Sequence, residues 1–107
     1  MENSNLDEMF KGWFVGNFEP SAFKTDAAEV AVKSYSAGDT ENKHFHKIAT
    51  EITLVLSGKV EMCGKIWGPG EIIVLEPGEA TSFRAIEDSK NVVVKVPCVP
   101  GDKYEVE

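Results

Sequence analysis

The sequence predicts an all-β protein, a sandwich or a barrel built from short strands. Between Glu29 and Val96, segments rich in Val, Ile and Thr alternate with Gly and Pro turns at short intervals, which is typical of such folds. No stretch of useful length shows the periodicity of an amphipathic helix. With 107 residues, the chain is long enough for one domain with one modest core.

The first part of the chain is rich in aromatic residues. We expect a loose start with one helical turn over residues 6–10, followed by four aromatic side chains: Trp13, Phe14, Phe18 and Phe23. Residues 1–27 are interpreted as an arm that packs on the barrel or on a partner subunit, and residues 28–107 as the barrel itself. Alternatively, one of these aromatic residues lines a ligand pocket or a subunit contact.

The barrel strands follow from runs of β-branched residues bounded by turn residues. A strand at 29–37 leads through Gly38 into a polar strand that carries both histidines. The other predicted strands are 51–57, 60–63, 71–75, 81–86 and 91–96, and residues 66–67 lead into a break at Gly68-Pro69-Gly70. The tail from Asp102 onward either pairs as an edge strand or stays loose.

Three predicted strands are apolar on both faces: Ile52 to Leu56, Ile72 to Leu75 and Val92 to Val96. A strand with one face in water would alternate between apolar and polar residues. One face therefore fills the barrel, and either the N-terminal arm or a second subunit covers the other. A homodimer is the predicted assembly.

The charge and the cysteines limit the class of protein. A net charge of −7 argues against nucleic acid or an anionic membrane as a partner, because both favour basic surfaces. The N-terminal segment MENSNLDEMF has no apolar core, so we expect a cytoplasmic location. Cys63 and Cys98 are expected to be free thiols.

Both histidines of the chain, His44 and His46, are separated by one residue. In a strand, residues i and i+2 point to the same face, so the two imidazoles can approach a common point. We expect a short hairpin near Ala49 and Thr50 to bring Glu51 alongside them. Two imidazoles and one carboxylate suit a divalent transition metal.

The stretch from Gly38 to Gly58 resembles the first sequence motif of the cupin superfamily. That motif reads Gly, five residues, His, one residue, His, three or four residues, Glu, six residues, Gly. In this chain Gly38, His44, His46, Glu51 and Gly58 stand at those positions. The resemblance implies a double-stranded β-helix, that is, a jelly-roll barrel.

The second cupin motif is matched less completely. Gly70, Pro77 and Gly78 resemble its frame, but Glu76 stands where its first proline is expected. Thr81 stands where the family has a fourth metal ligand, a histidine, and Ala85 where it has an asparagine. The resemblance covers roughly residues 31–96.

The resemblance implies a metal centre formed by His44, His46 and Glu51, with Thr81 at the possible fourth position. The metal would be Zn, Fe, Mn or Ni. Because a hydroxyl is a poor ligand for these metals, the site would keep open positions, as in the facial triad of non-haem iron enzymes. Alternatively, loss of the fourth ligand has abolished metal binding.

Two classes of function remain open. The first is a metal-dependent cupin that acts on a small polar molecule, such as a sugar derivative or a keto or hydroxy acid. The second needs no metal. The segment HFHK is similar to the HxHK segment of nucleotide-sugar ketoisomerases, in which histidines act as acid and base, so His44 and His46 are candidate catalytic residues. A non-catalytic cupin that binds a small ligand is the other metal-free alternative.

Strand alternation predicts which side chains line the cavity around this site. Thr53 and Val55 share the parity of Glu51 and are expected to face inward. Three further residues complete the predicted lining: Val60, Met62 and Phe83.

Overall fold

Two five-stranded antiparallel sheets enclose the interior in the computed structural model, which describes residues 1–106. Two short 3-10 helices, Leu6–Glu8 and Phe10–Gly12, precede the strands. The strands are β1 (Trp13–Val15), β2 (Glu29–Tyr35), β3 (Thr40–Phe45), β4 (Thr50–Ser57), β5 (Val60–Met62), β6 (Lys65–Trp67), β7 (Ile72–Leu75), β8 (Thr81–Ala85), β9 (Ser89–Val96) and β10 (Tyr104–Glu105). The order is β1-β2-β9-β4-β7 in the first sheet and β10-β3-β8-β5-β6 in the second. The all-β jelly roll predicted from the sequence is confirmed.

The core lies between the two sheets because each strand turns alternate residues inward. On β8, Thr81, Phe83 and Ala85 are buried while the two residues between them are exposed. The buried apolar cluster draws on both sheets and consists of Val55, Val60, Met62, Ile73, Leu75, Phe83 and Ala85. Tyr35 packs on Phe83 with ring centroids 4.4 Å apart, which joins β2 to β8 across the interior.

The predicted hairpin between the histidine strand and the Glu51 strand is wrong. β3 belongs to the second sheet and β4 to the first, so the two strands do not pair. The segment 46–49 instead crosses from one sheet to the other. Consecutive strands pair or neighbour each other only about two-thirds of the time, and this crossover is one of the exceptions.

The outer face of the first sheet is apolar across four strands. Two cross-strand rows lie on it, Val32–Val92–Leu54–Ile72 and Val30–Val94–Ile52–Val74. At the β7 edge, Ile72 and Val74 are 60% and 50% exposed. The predicted two-sided apolar strands therefore form one continuous apolar surface.

The N-terminal arm covers one side of this surface. Leu6, Met9 and Phe14 lie around Val32 on β2. Gly12 passes so close to the Val32 carbonyl that a side chain at this position would overlap it. The arm also supplies β1, which pairs with β2. The arm thus lies at the β2 side and leaves the β7 side uncovered.

The remaining features of the chain concern its end and its thiols. The tail forms an edge strand, because Tyr104 and Glu105 pair with Phe45 and His44. Cys63 and Cys98 are both free, as expected.

In the described part of the chain, no helix has the length and apolar character needed to cross a bilayer.

Candidate metal centre

His44, His46 and Glu51 converge in the structure although they come from both sheets. His44 lies near the end of β3, His46 directly follows this strand, and Glu51 lies near the start of β4. One potential ligand atom from each residue lies within 4.8 Å of the other two. The imidazole centroids are 5.5 Å apart and the rings are inclined at 76°.

His46 is held so that one specific nitrogen faces the cluster. Its Nδ1 is hydrogen-bonded to the backbone carbonyl of Asp102, so this nitrogen carries the proton and donates it. Its Nε2 lies 3.4 Å from Oε1 of Glu51, yet this atom is buried and has no hydrogen-bond partner. Metal-binding histidines show this pattern, in which the second ring nitrogen donates to a carbonyl or carboxylate.

His44 has the same arrangement. Its Nδ1 lies 2.9 Å from the backbone carbonyl of Asn42, which leaves Nε2 as the nitrogen with a free lone pair. Its environment differs from that of His46, because His44 is half-buried and lines the barrel cavity. Both histidines therefore present Nε2 for coordination, and only His44 faces the cavity.

Asp102 organises the crossover that carries His46, a role that is not among those predicted from the sequence. Its buried carboxylate accepts hydrogen bonds from the backbone N–H groups of Lys47, Ile48 and Ala49 at 2.9, 3.1 and 2.9 Å. Asp102 therefore stabilises the crossover through its side chain and orients His46 through its carbonyl. No local motif indicates this role, because the partners lie more than fifty residues earlier in the chain.

Electrostatic effects favour a charged carboxylate at Glu51. Burial alone would raise the pKa of Glu51, but interactions with His46 and with the nearby Lys95 outweigh this effect and lower it. The neighbouring Glu51 carboxylate in turn raises the pKa of His46, against the opposing effect of burial. Glu51 is thus available as an anionic ligand.

Thr81 lies directly opposite His44 in the pairing of β3 with β8, and it lines the same cavity. Its hydroxyl accepts a hydrogen bond from the Cys63 N–H at 2.8 Å and donates one to the Ser82 carbonyl at 2.7 Å. The hydroxyl thus holds the end of β5 against β8. Because its oxygen already makes two hydrogen bonds, it has little capacity left for a ligand.

A cavity of about 340 Å³ opens beside the cluster, and His44 and Glu51 are part of its wall. Of the predicted lining residues, Thr53, Met62 and Phe83 face this cavity. Val55 and Val60 do not, because both are fully buried in the packed core.

The cavity wall also contains polar and charged residues that were not predicted from the sequence: Lys33, Lys95 and Asn91. Strand parity gave a signal for Lys33, since it lies on the same face of β2 as the inward residues Ala31 and Tyr35. An isolated lysine is nevertheless most often a surface residue, so parity alone did not reveal it.

The sequence matches no family model and no curated protein. Solved structures do match the fold. An uncharacterized conserved protein with a double-stranded β-helix domain, from Klebsiella pneumoniae, aligns with a TM-score of 0.70 and 23% identity over 78% of this chain and 73% of that chain. An RmlC-like cupin protein from Desulfovibrio desulfuricans gives a TM-score of 0.62 and 21% identity, over 70% of this chain and 76% of that chain.

The DMSP lyase DddQ from Ruegeria pomeroyi also matches, with a TM-score of 0.72 and 21% identity over 88% of this chain. The match covers 49% of DddQ, so this chain spans about half of the length of that enzyme. Identities at this level show a common fold, and the fold agrees with the resemblance of the stretch from Gly38 to Gly58. The chain therefore has the cupin fold, a double-stranded β-helix.

Proposed function

We propose that this protein is a metal-dependent cupin that acts on a small polar molecule in its barrel cavity. His44, His46 and Glu51 would hold a divalent transition metal, and the cavity beside them would receive the ligand. The observation that carries the proposal is the convergence of one ligand atom each from His44, His46 and Glu51 within 4.8 Å of one another. The buried Nε2 of His46, which faces the Glu51 carboxylate without a hydrogen bond, supports it.

A buried polar atom without a partner is costly, roughly 1–3 kcal/mol, and needs an explanation in a stable protein. Coordination of a metal by this nitrogen would explain it. The two Nδ1 atoms already bond to backbone carbonyls, which leaves both Nε2 atoms free to act as ligands. Nitrogen and oxygen donors in this ratio suit Zn, Fe, Mn and Ni, and do not select among them.

The chain's own residues prepare the site for a ligand. A bound divalent metal would supply Lewis-acid chemistry by polarising an oxygen atom of the ligand. Because the Thr81 hydroxyl is hydrogen-bonded to backbone groups, one side of the site stays free for that oxygen of the ligand. Phe83 and Met62 line the cavity with apolar surface, which limits the access of water.

A second candidate function requires no metal, and the position of His44 favours it. His44 lines the cavity and could accept a proton from a ligand there. His46 is 5% exposed and lies outside that wall, so it would act only through Glu51 or as a support for His44. A non-catalytic ligand-binding role would use the same cavity.

The comparisons support a role with small molecules but do not select a substrate. One matching structure is described as a DMSP lyase, and this fold hosts many different reactions. The cytoplasmic location remains a prediction from the sequence.

Elemental analysis of the purified protein, without added metal, tests the proposal. We expect close to one equivalent of a transition metal per chain. A protein that carries no metal, and that binds none when Zn²⁺, Fe²⁺, Mn²⁺ or Ni²⁺ is added, would refute the metal-dependent function and favour the acid–base alternative.

A further inference from the structure

Two lysine side chains converge inside the cavity. Lys33 of β2 and Lys95 of β9 both line it. Their ammonium groups lie 5.7 and 5.1 Å from the centroid of the same indole ring, that of Trp13. Each can interact with the electron-rich ring face, but two cations that share one ring also repel each other.

Neither ammonium forms an ion pair with a carboxylate within residues 1–106. Two further lysines, Lys11 and Lys103, line the same cavity. Burial lowers the pKa of Lys33, and the three other lysines add to this effect while Glu41 opposes it. An unpaired, partly desolvated cation of this kind gains from an anionic ligand.

Asn91 adds a polar group at the same wall. It is directly opposite Lys33 in the pairing of β2 with β9, and it lines the cavity. Asn91 is 1% exposed, and its Oδ1 has no hydrogen-bond partner. A buried amide that faces a cavity with an unused acceptor is suited to a hydroxyl group of a ligand.

The three carboxylates in the cavity wall offset this positive charge only in part, because none of them forms an ion pair with Lys33 or Lys95. Glu51 is the register partner of Lys95 on β4 and interacts with its charge, but it lies against His46 in the candidate metal centre. Glu41 interacts with the half-buried Tyr35, where burial and this carboxylate raise the pKa of Tyr35. Glu29 is the register partner of Lys95 but forms no ion pair with it. The ammonium groups next to Trp13 therefore remain available.

We propose that the cavity binds a small hydroxylated carboxylate, with its carboxylate group between Lys33 and Lys95 and a hydroxyl group at Asn91. This inference rests on the proposed function, because it places the ligand in the cavity that also contains His44 and Glu51. Of the small polar molecules proposed as substrates, which are sugar derivatives and keto or hydroxy acids, the two lysines favour those that carry a carboxylate. Phosphate is less suited, because sites for phosphate usually add backbone N–H groups or arginine to the lysines.

Calorimetric titration with two pairs of probes tests the inference. Gluconate is compared with sorbitol, and lactate with propane-1,2-diol, so that each acid has a neutral counterpart. The metal content of every protein sample is measured in parallel. We expect at least one acid to bind, and its neutral counterpart to bind about ten-fold more weakly or not at all.

Variants of the two lysines locate the binding site. Lys33→Met and Lys95→Met should each weaken binding of the acid by about ten-fold or more, and Lys33→Met should leave the metal content unchanged. Lys33→Arg keeps the charge and should restore most of the affinity. Lys59→Met is the matched control, because Lys59 is an exposed lysine outside the cavity, 3.9 Å from Glu87.

Each outcome decides one of the two proposals. If both acids bind no more tightly than their neutral counterparts, or if the two methionine variants keep wild-type affinity, the inference is wrong. If the protein proves free of metal but binds the acid through Lys33 and Lys95, the anion site stands and the metal-dependent function fails. If metal is present and the acids do not bind, the metal-dependent function stands and the anion site fails.

Discussion

The backbone carbonyl of Asp102 accepts a hydrogen bond from Nδ1 of His46, a residue 56 positions earlier in the chain. The carboxylate of the same Asp102 accepts three hydrogen bonds from the crossover that follows His46. One residue near the C-terminus thus stabilises the connection between the two sheets and orients a candidate metal ligand. Changes at Asp102 should therefore alter both the stability of the crossover and the metal affinity of the site.

Replacement of Asp102 should therefore affect both stability and metal binding. Asp102→Ala leaves three backbone N–H groups without their acceptor, which should lower the free energy of unfolding by about 2–4 kcal/mol. Because the crossover loosens, metal affinity should fall by about 10- to 100-fold. Asp102→Asn keeps one acceptor oxygen and should show smaller losses. Urea denaturation and metal titration measure the two effects, and an alanine variant as stable as the wild type would contradict the role of Asp102.

Loss of one candidate ligand should abolish metal binding while the fold survives. A site with three protein ligands has none to spare, and the core between the sheets is built from other residues. We expect Glu51→Gln and His46→Ala to contain no metal by elemental analysis and to retain the β-sheet circular dichroism spectrum. Full metal occupancy in either variant would show that the ligand set is wrong. Unfolding of the His46 variant would instead indicate a structural role for His46.

Lys33 should reduce the stability of the free protein at neutral pH. Burial lowers its pKa below the ordinary value of 10.5, so folding disfavours the charged form. This penalty is fully present below the folded-state pKa and disappears as the pH rises through the unfolded-state value. Lys33→Met should therefore be more stable than the wild type at pH 7, and the difference should shrink as the pH approaches 10.5. Denaturant titrations at several pH values test this, and a difference that is independent of pH would contradict it.

The apolar outer face of the first sheet should form the interface of a homodimer. The N-terminal arm covers only the β2 side, and Ile72 and Val74 remain half-exposed or more at the other side. Light scattering should give twice the 11.7 kDa mass of one chain. Ile72→Lys should shift the mass toward one chain, whereas Ile66→Lys should not, although Ile66 on β6 is similarly exposed at 58% against 60%. A wild-type protein that has the mass of a single chain at micromolar concentration would exclude the dimer.

The barrel could be predicted from the sequence because its signals are local. Turn residues and β-branched runs indicated the strands of the barrel, and the spacing of His44, His46 and Glu51 indicated a cluster that the structure brings together. The mechanism of this convergence could not be predicted from local signals. A hairpin was expected, but the chain crosses between sheets at this point.

Residues that act through distant partners were missed for the same reason. Asp102 lies in a polar tail, and its partners lie more than fifty residues earlier in the chain. Lysine is usually a surface residue, so the sequence alone did not place Lys33 and Lys95 inside. Only the pairing of β2 with β9 and the position of Trp13 show that they face one cavity. Tertiary pairing, which a single sequence does not display, determines these roles.

Thr81 offers the sharpest separation of metal binding from turnover. It lies opposite His44 and lines the cavity, so Thr81→His should add an imidazole to the candidate centre. Metal affinity should rise by about ten-fold or more, because an imidazole is a far better ligand than a hydroxyl that is already bonded to the backbone. Any activity that needs the open side of the site should fall, because the ligand must compete with the new histidine.

The control for this variant is Thr81→Val, which removes the hydroxyl without adding a ligand. It deprives the Cys63 N–H of its acceptor and should cost about 1–3 kcal/mol in unfolding free energy, with little change in metal affinity. A gain in affinity that is confined to the histidine variant would place position 81 beside the metal. Equal affinities in Thr81→His, Thr81→Val and the wild type would mean that residue 81 does not reach the metal, and that the site consists of His44, His46 and Glu51 without it.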